Sequence, residues 1–233
     1  MTRKIELIMG VCLVAAALFM STRGVSVVSS AKAVEGMKIV IDPGHGGDDP
    51  GKVSPDGTLE KDLNLEIALM LGEYLKERGV EVYYTRQTDM GLYSSSATNK
   101  KAEDLKKRCA IIENVMPDVT ISIHQNSYSQ STVKGAQVFY YSQSPKAEAL
   151  AKAIQQSLRE VADKDNTREA KANDSYYMLK RTESPTVIVE CGFLSNPGEA
   201  EKLQKSAYQK KLVKAIYAGI CAYEETAEES EEN

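Results

Sequence analysis

This sequence predicts a single α/β domain, with a mixed or mostly parallel central sheet and helices on both faces. Three observations carry that prediction. Short apolar runs rich in β-branched residues alternate along the chain with longer segments whose apolar residues recur at helical spacing. The 233 residues, 42% of them hydrophobic, suffice for one sizeable core rather than two. Two of the apolar runs end abruptly in polar turns that each carry a histidine, which is how open α/β sheets present side chains at their strand ends.

Taken in order, the N-terminus reads as a targeting segment. Arg3 and Lys4 precede an apolar stretch from Leu7 to Met20, too short for a comfortable membrane span, and Ala31-Lys32-Ala33 offers a small-residue cleavage site. The distance from Met20 to Ala33 is long for a cleaved leader. Residues 1–33 are therefore expected to be a signal peptide or an uncleaved membrane anchor, and in both cases the protein works outside the cytoplasmic membrane. Cys12 lacks the small residue before it that lipid attachment requires.

The folded domain is expected over residues 37–223. Lys38 to Ile41 reads as a strand, and Thr58 can cap a helix from about Leu59 to Arg78. That helix carries Leu63, Ile67, Met70, Leu71, Tyr74 and Leu75 on one face, with Gly79 as its stop signal. Val80 to Thr85 is the next strand, and the polar stretch Gln87 to Lys101 is a loop. A helix from about Ala102 to Asn114 turns Leu105, Cys109 and Ile112 inward, and Pro117 ends it.

Val119 to Ile123 and Ala136 to Tyr141 follow as strands, then a helix over Lys146 to Lys164 with Leu150, Ile154 and Leu158 at helical spacing. Tyr176 to Leu179 and Thr186 to Val189 read as short strands. The last helix spans roughly Ala207 to Tyr223, bearing Leu212, Ile216 and Ile220. Residues 224–233, with six glutamates, form an acidic tail expected to be solvated and disordered.

Charge and composition exclude several function classes. The formal net charge of −4 becomes −7 if residues 1–33 are removed, because Arg3, Lys4, Arg23 and Lys32 leave with Glu6. Nucleic acid is therefore not an expected partner, since phosphate binding needs a basic face. The chain has no tryptophan and only three phenylalanines, so broad aromatic platforms for stacking sugars or bases are not expected. Cys109, Cys191 and Cys221 are too few and too odd for a disulfide framework. One pair is open to them, but their expected role is burial as small hydrophobes.

The chain has only two histidines. His45 follows the first strand in Asp42-Pro43-Gly44-His45-Gly46-Gly47, and His124 follows Val119 to Ile123 and opens His124-Gln125-Asn126-Ser127. A lone histidine beside a strand is ordinarily a satisfied core or surface residue. Two at matching strand ends suggest a metal, although no local His-x-x-x-His signature supports it. Glu60 and Glu190 are the candidate partners. Glu60 falls in the first turn of a helix, where a plain helix-start anion is common and a carboxylate reaching back to the ion of His45 is the functional alternative. Glu190 ends the apolar run Thr186 to Val189, where its desolvation must be offset by a structural salt bridge or used in catalysis.

Four blocks then carry a family resemblance. Asp42-Pro43-Gly44-His45-Gly46-Gly47, Leu59-Glu60-Lys61-Asp62-Leu63-Asn64-Leu65, Ser122-Ile123-His124-Gln125-Asn126-Ser127 and Glu190-Cys191-Gly192-Phe193-Leu194-Ser195-Asn196 resemble the zinc-dependent N-acetylmuramoyl-L-alanine amidases, in the family's order. The resemblance implies a central sheet of about six strands, Zn²⁺ as cofactor, His45, Glu60 and His124 as its ligands, and Glu190 as the catalytic carboxylate. Lys101 to Arg108 and Thr167 to Lys171 resemble a sporulation subgroup, whose members trim muramic acid side peptides in the spore cortex as a prerequisite for muramic-δ-lactam. Gln125 departs from the small residue that many members carry after the histidine.

On this reading the partner is peptidoglycan, its glycan strands with their stem peptides. Two imidazoles and a carboxylate leave an open zinc position for water, and Glu190 would take the water proton and pass it to the departing amine. With no wall-binding repeat in the chain, targeting is expected from the N-terminal segment, an activating protein partner or restricted expression at the forespore cortex. Rival readings are a phosphate loop at Asp42 to Gly47, which lacks the spacing of either nucleotide fingerprint, and a Cys191–His124 hydrolase pair. A zinc carboxypeptidase-like wall peptidase and a non-catalytic wall-binding scaffold complete the set.

Overall fold

The computed structural model of the chain describes residues 34–231. The expected leader or anchor, with Cys12, lies outside the described residues. Apolar strand runs and amphipathic helices alternate as β1 (Lys38–Pro43), α1 (Glu60–Lys76), β2 (Glu81–Tyr84), α2 (Lys100–Val115), β3 (Val119–Asn126), β4 (Gln137–Tyr140) and α3 (Pro145–Ser157). A π-helical turn (Leu158–Ala162), β5 (Lys171–Ala172), α4 (Tyr177–Arg181), β6 (Thr186–Phe193), α5 (Pro197–Leu203) and α6 (Ser206–Glu231) complete the described chain. No helix among the described residues is long and apolar enough to cross a membrane.

The six strands form one sheet in the order β2-β1-β3-β6-β4-β5. Every neighbouring pair is parallel except β4 with β6, so the sheet is mixed and mostly parallel, as expected. Parallel strands covered on both faces read as unbroken apolar runs, and all eight residues of β6 are buried. The two faces are unequal. Ile39, Ile41, Ile121, Ile123, Val187 and Val189 point into a large core closed by α1, α3 and α6. Val40 and Ile188 point the other way, into two small clusters under α2 and α4. Ser122, His124 and Glu190 share this thinner face, because side chains alternate along a strand and β3 and β6 are in register at His124↔Glu190. The strand ends there are left open.

Several sequence expectations are corrected. Thr58 does not cap α1: Leu59 holds the N-cap position without a side-chain bond, and the Thr58 hydroxyl donates to Asp56 instead. Asn99 and Ser144 do cap α2 and α3, accepting from the amides of Ala102 and Ala147. Tyr176 to Leu179 is not a strand, since Tyr177–Arg181 closes into the short helix α4 with Met178 and Leu179 buried. The acidic tail does not begin as disordered chain after Tyr223, because α6 continues through it to Glu231. Cys109, Cys191 and Cys221 are free and buried, as expected of small hydrophobes.

Candidate active site

The turn after β1 is held in an uncommon conformation. His45 has a φ of +62°, the left-handed region that non-glycine residues seldom occupy. Two buried arginines fix it through backbone carbonyls. Arg86 donates from Nε to Pro43 and from Nη2 to Gly44, each at 2.9 Å. Arg108 donates from Nη1 to Pro43 at 2.7 Å and from Nη2 to the carbonyl of His45 itself at 2.6 Å. Gly44 has to be glycine: a Cβ there would stand 2.2 Å from the His124 ring. The two imidazoles consequently meet edge to face, with centroids 5.0 Å apart.

Beneath the turn lies Asp42, fully buried. Its carboxylate accepts from Arg108 Nη1 at 2.7 Å, Ser122 Oγ at 2.6 Å and Thr85 Oγ1 at 2.6 Å. Burial alone would raise its pKa, but the Arg108 charge and these hydrogen bonds outweigh it and bring it to about 2. Removing one partner of a buried pair leaves the other uncompensated. Asp42→Asn is therefore expected to lower unfolding stability by about 3–5 kcal/mol in urea titration. Because the folded pKa lies below the unfolded one, the wild-type contribution is complete above about pH 4 and fades as pH falls towards 2. The variant should show none of that acid-limb loss.

Glu60 stands in the first turn of α1 and is 4% exposed. Its Oε1 lies 3.2 Å from His45 Nε2 and 3.0 Å from His124 Nδ1, and accepts from the Gln125 amide at 3.1 Å. Oε2 accepts from the Lys52 amide at 2.7 Å. Burial works against the carboxylate charge, yet the two imidazoles hold its pKa well below the usual range. His45 is the counterpart. Burial would lower its pKa, but Glu60 and Asp49 raise it to about 8. Its Nδ1 lies 2.9 Å from Asp49 Oδ2, which orients the ring with Nε2 towards Glu60. Gln125, the family departure, bonds Asn64 Oδ1 through Nε2 at 3.2 Å.

One donor atom from each of His45, Glu60 and His124 lies within 4.8 Å of the others. The set fits a divalent cation of the zinc type: two imidazoles, one carboxylate, and a carboxylate–histidine contact behind a ligand ring. In this arrangement a nitrogen of each imidazole crowds the same Glu60 oxygen, at 3.2 and 3.0 Å, where a cation would satisfy all three groups.

Glu190 shares the same cleft of about 340 Å³, together with Tyr176, Asn126 and Lys101. It is 6% exposed, and its Oε2 is buried with no hydrogen-bond partner among the described residues. Oε1 has one long contact, from Tyr176 Oη at 3.4 Å. Burial pushes the pKa up to about 7, with the Glu60 charge adding to the rise against the lowering effect of the imidazoles. No salt bridge reaches it among the described residues, so the structural alternative raised by the sequence does not describe this side chain. A buried carboxylate oxygen left without a partner points to use rather than support.

Residues 39–222 match the family of N-acetylmuramoyl-L-alanine amidases. The chain belongs to that family. It is 40% identical to the germination-specific N-acetylmuramoyl-L-alanine amidase of Bacillus subtilis, over 82% of this chain and 81% of that one. The CwlD amidase from Clostridioides difficile, solved in complex with the GerS lipoprotein, is 43% identical. It superposes with a TM-score of 0.78 over 80% of this chain and 98% of that one. An N-acetylmuramoyl-L-alanine amidase of Clostridium difficile 630 follows at 30% identity and a TM-score of 0.71, covering 81% of this chain and 97% of its own.

In this amidase all four sequence-predicted site residues meet in one cleft. Cys191, the rival nucleophile, does not. It follows Glu190 on β6 and so faces the opposite, large core, fully buried, with burial driving its thiol pKa far up. Asp42, Arg86 and Arg108 were missed. The available signal was helical spacing: Leu105, Arg108, Cys109 and Ile112 fall at i, i+3, i+4 and i+7, which turns Arg108 towards the core.

Proposed function

We propose that this amidase is zinc-dependent and cleaves the bond between the lactyl carboxyl of N-acetylmuramic acid and the amino group of L-alanine. His45, Glu60 and His124 would hold the ion, and Glu190 would move the proton. The observation that carries the reading is the buried, unpartnered Oε2 of Glu190 in the same cleft as the three converging donors.

When bound, zinc supplies an acidified water and a polarised amide carbonyl. The chain's residues do the rest. Asp49 holds the His45 ring, while the amides of Lys52 and Gln125 fix the two oxygens of Glu60. Glu190 accepts a proton from the attacking water, whose oxygen bonds to the carbonyl carbon of the lactyl group. It then delivers that proton to the alanine nitrogen as the C–N bond breaks. Products are a free muramic lactyl carboxylate and a stem peptide with a free amino terminus.

The similarity to a germination-specific amidase and to CwlD supports action on spore cortex peptidoglycan, outside the cytoplasmic membrane. The relative solved in complex with a lipoprotein supports a protein partner for this chain as well. Mass spectrometry of muropeptides before and after digestion tests the reading. Expected are new L-alanine amino termini and intact peptide bonds. Cleavage within the stem peptide would establish a carboxypeptidase-like enzyme instead, and no cleavage by zinc-loaded protein would overturn the proposal.

A carboxylate swap separates the ligand from its neighbours. Glu60→Ala is expected to weaken metal binding and lower activity in step. Glu66→Ala should change neither, because Glu66 contacts Gln209 on α6 and lies outside the cleft. Zinc content by atomic emission after dialysis checks this, and the reverse ordering would put the wrong carboxylate in the ligand set.

A further inference from the structure

Asp42, Asp49, Glu60, Asp104 and Glu190 are five of the eighteen residues that line the cleft, and few cations stand among them. Arg108 lines it too, but its side chain is only 2% exposed and all three guanidinium nitrogens are occupied by Asp42, Asp104 and the carbonyls of Pro43 and His45. Lys101 is different. It is exposed, lines the same cleft, and has no hydrogen bond or ion pair among the described residues. Its neighbour Lys100 is paired with Asp48 at 2.6 Å.

Lys101 also sits in the first turn of α2, where the helix macrodipole disfavours a positive charge. A lysine there loses helix stability and gains from the fold only the charge of Asp49, with no hydrogen bond or ion pair among the described residues. An anionic ligand entering the cleft would supply one.

We infer that Lys101 receives a free carboxylate of the stem peptide, namely the α-carboxylate of the acidic second residue, and so sets which substrates the cleft accepts. The inference rests on the amidase reading and adds a subsite to it. The amino sugars and the scissile amide are neutral, so anionic groups lie on the peptide side of the cut bond. Such a group is held best where a cation faces it. Lys101 marks the wall of the cleft, formed by the start of α2, along which the peptide leaves the metal centre.

The test uses the zinc-loaded full chain and two soluble muropeptides that differ only at the second residue, one with a free α-carboxylate and one with a carboxamide. Wild type is expected to favour the acid form by about tenfold in kcat/KM, the size of one exposed charge-assisted hydrogen bond. Lys101→Gln should lose on the acid form alone and bring the ratio near unity. Lys101→Glu should invert it. Lys106→Gln, exposed on the same helix and outside the cleft, should keep the wild-type ratio. Calorimetry with the released peptides should show the same acid preference in binding to wild type and its loss in Lys101→Gln.

A ratio that survives in Lys101→Gln, or an equal fall on both substrates, overturns the subsite while leaving the amidase reading in place. Wild type that cleaves neither muropeptide overturns the amidase reading, and the subsite falls with it.

Discussion

Glu190→Gln is expected to keep its fold and its metal while amide hydrolysis falls by roughly 10²–10⁴-fold, the usual effect of losing a positioned proton-transfer group. Glutamine preserves the size of the side chain and its contact with Tyr176 Oη, so packing on β6 is unchanged. What disappears is the proton acceptor at Oε2, the oxygen that no group among the described residues satisfies. Stability gives an independent check of sign. Burial raises the folded pKa of Glu190 to about 7, above its unfolded value, so the charged form is disfavoured in the native state. In metal-free protein that cost begins as pH rises past about 4.5 and is complete above about 7. Metal-free Glu190→Gln should therefore be at least as stable as wild type at pH 8. A variant that is unstable but active would make Glu190 a structural partner. One that is stable, zinc-loaded and fully active would sink the mechanism.

Much of this site is legible in the sequence because it depends on strand ends. A parallel sheet buries whole apolar runs, so the residue where polarity returns is nearly the residue where the strand meets the cleft. His45, His124 and Glu190 are all marked in that way. Arg86 and Arg108 were harder to see. Arginine is ordinarily a surface residue, and their bonds to Pro43 and His45 span 43 to 65 positions of chain. Only the fold brings them under the turn.

Local misreadings have local causes. Tyr176, Tyr177 and Met178 have the aromatic, apolar character of a strand, and five residues are too few for a helical period to show. The structure divides their burial between two small clusters, Met178 beside Val40 and Leu179 beside Phe139. β5 is two residues long and exists through pairing with β4 rather than through propensity. The acidic tail reads as disordered on its charge alone. Glutamate and alanine are nonetheless good helix formers, and a long preceding helix removes the nucleation cost of continuing.

His45→Ala and His124→Ala are each expected to lose most bound zinc and all measurable hydrolysis. Two remaining donors cannot make the three-ligand open site that hydrolytic zinc requires. The expected ordering across the site is graded by contact. Asp49 reaches the far nitrogen of the His45 ring and otherwise accepts from the Gly51 amide, so Asp49→Asn should weaken zinc binding by about 10–100-fold without abolishing it. The histidine variants should fall further. His124→Ala also removes the ring that packs against Gly44, so its metal-free form should unfold at lower urea than that of His45→Ala. Linkage provides a readout that does not depend on turnover. Free zinc at a hundred times its Kd should raise wild-type unfolding free energy by about 2.7 kcal/mol, and should leave either histidine variant almost unmoved. Stoichiometric zinc retained after dialysis in one of them would remove that histidine from the ligand set. Full zinc-induced stabilisation of both would place the metal elsewhere in the chain.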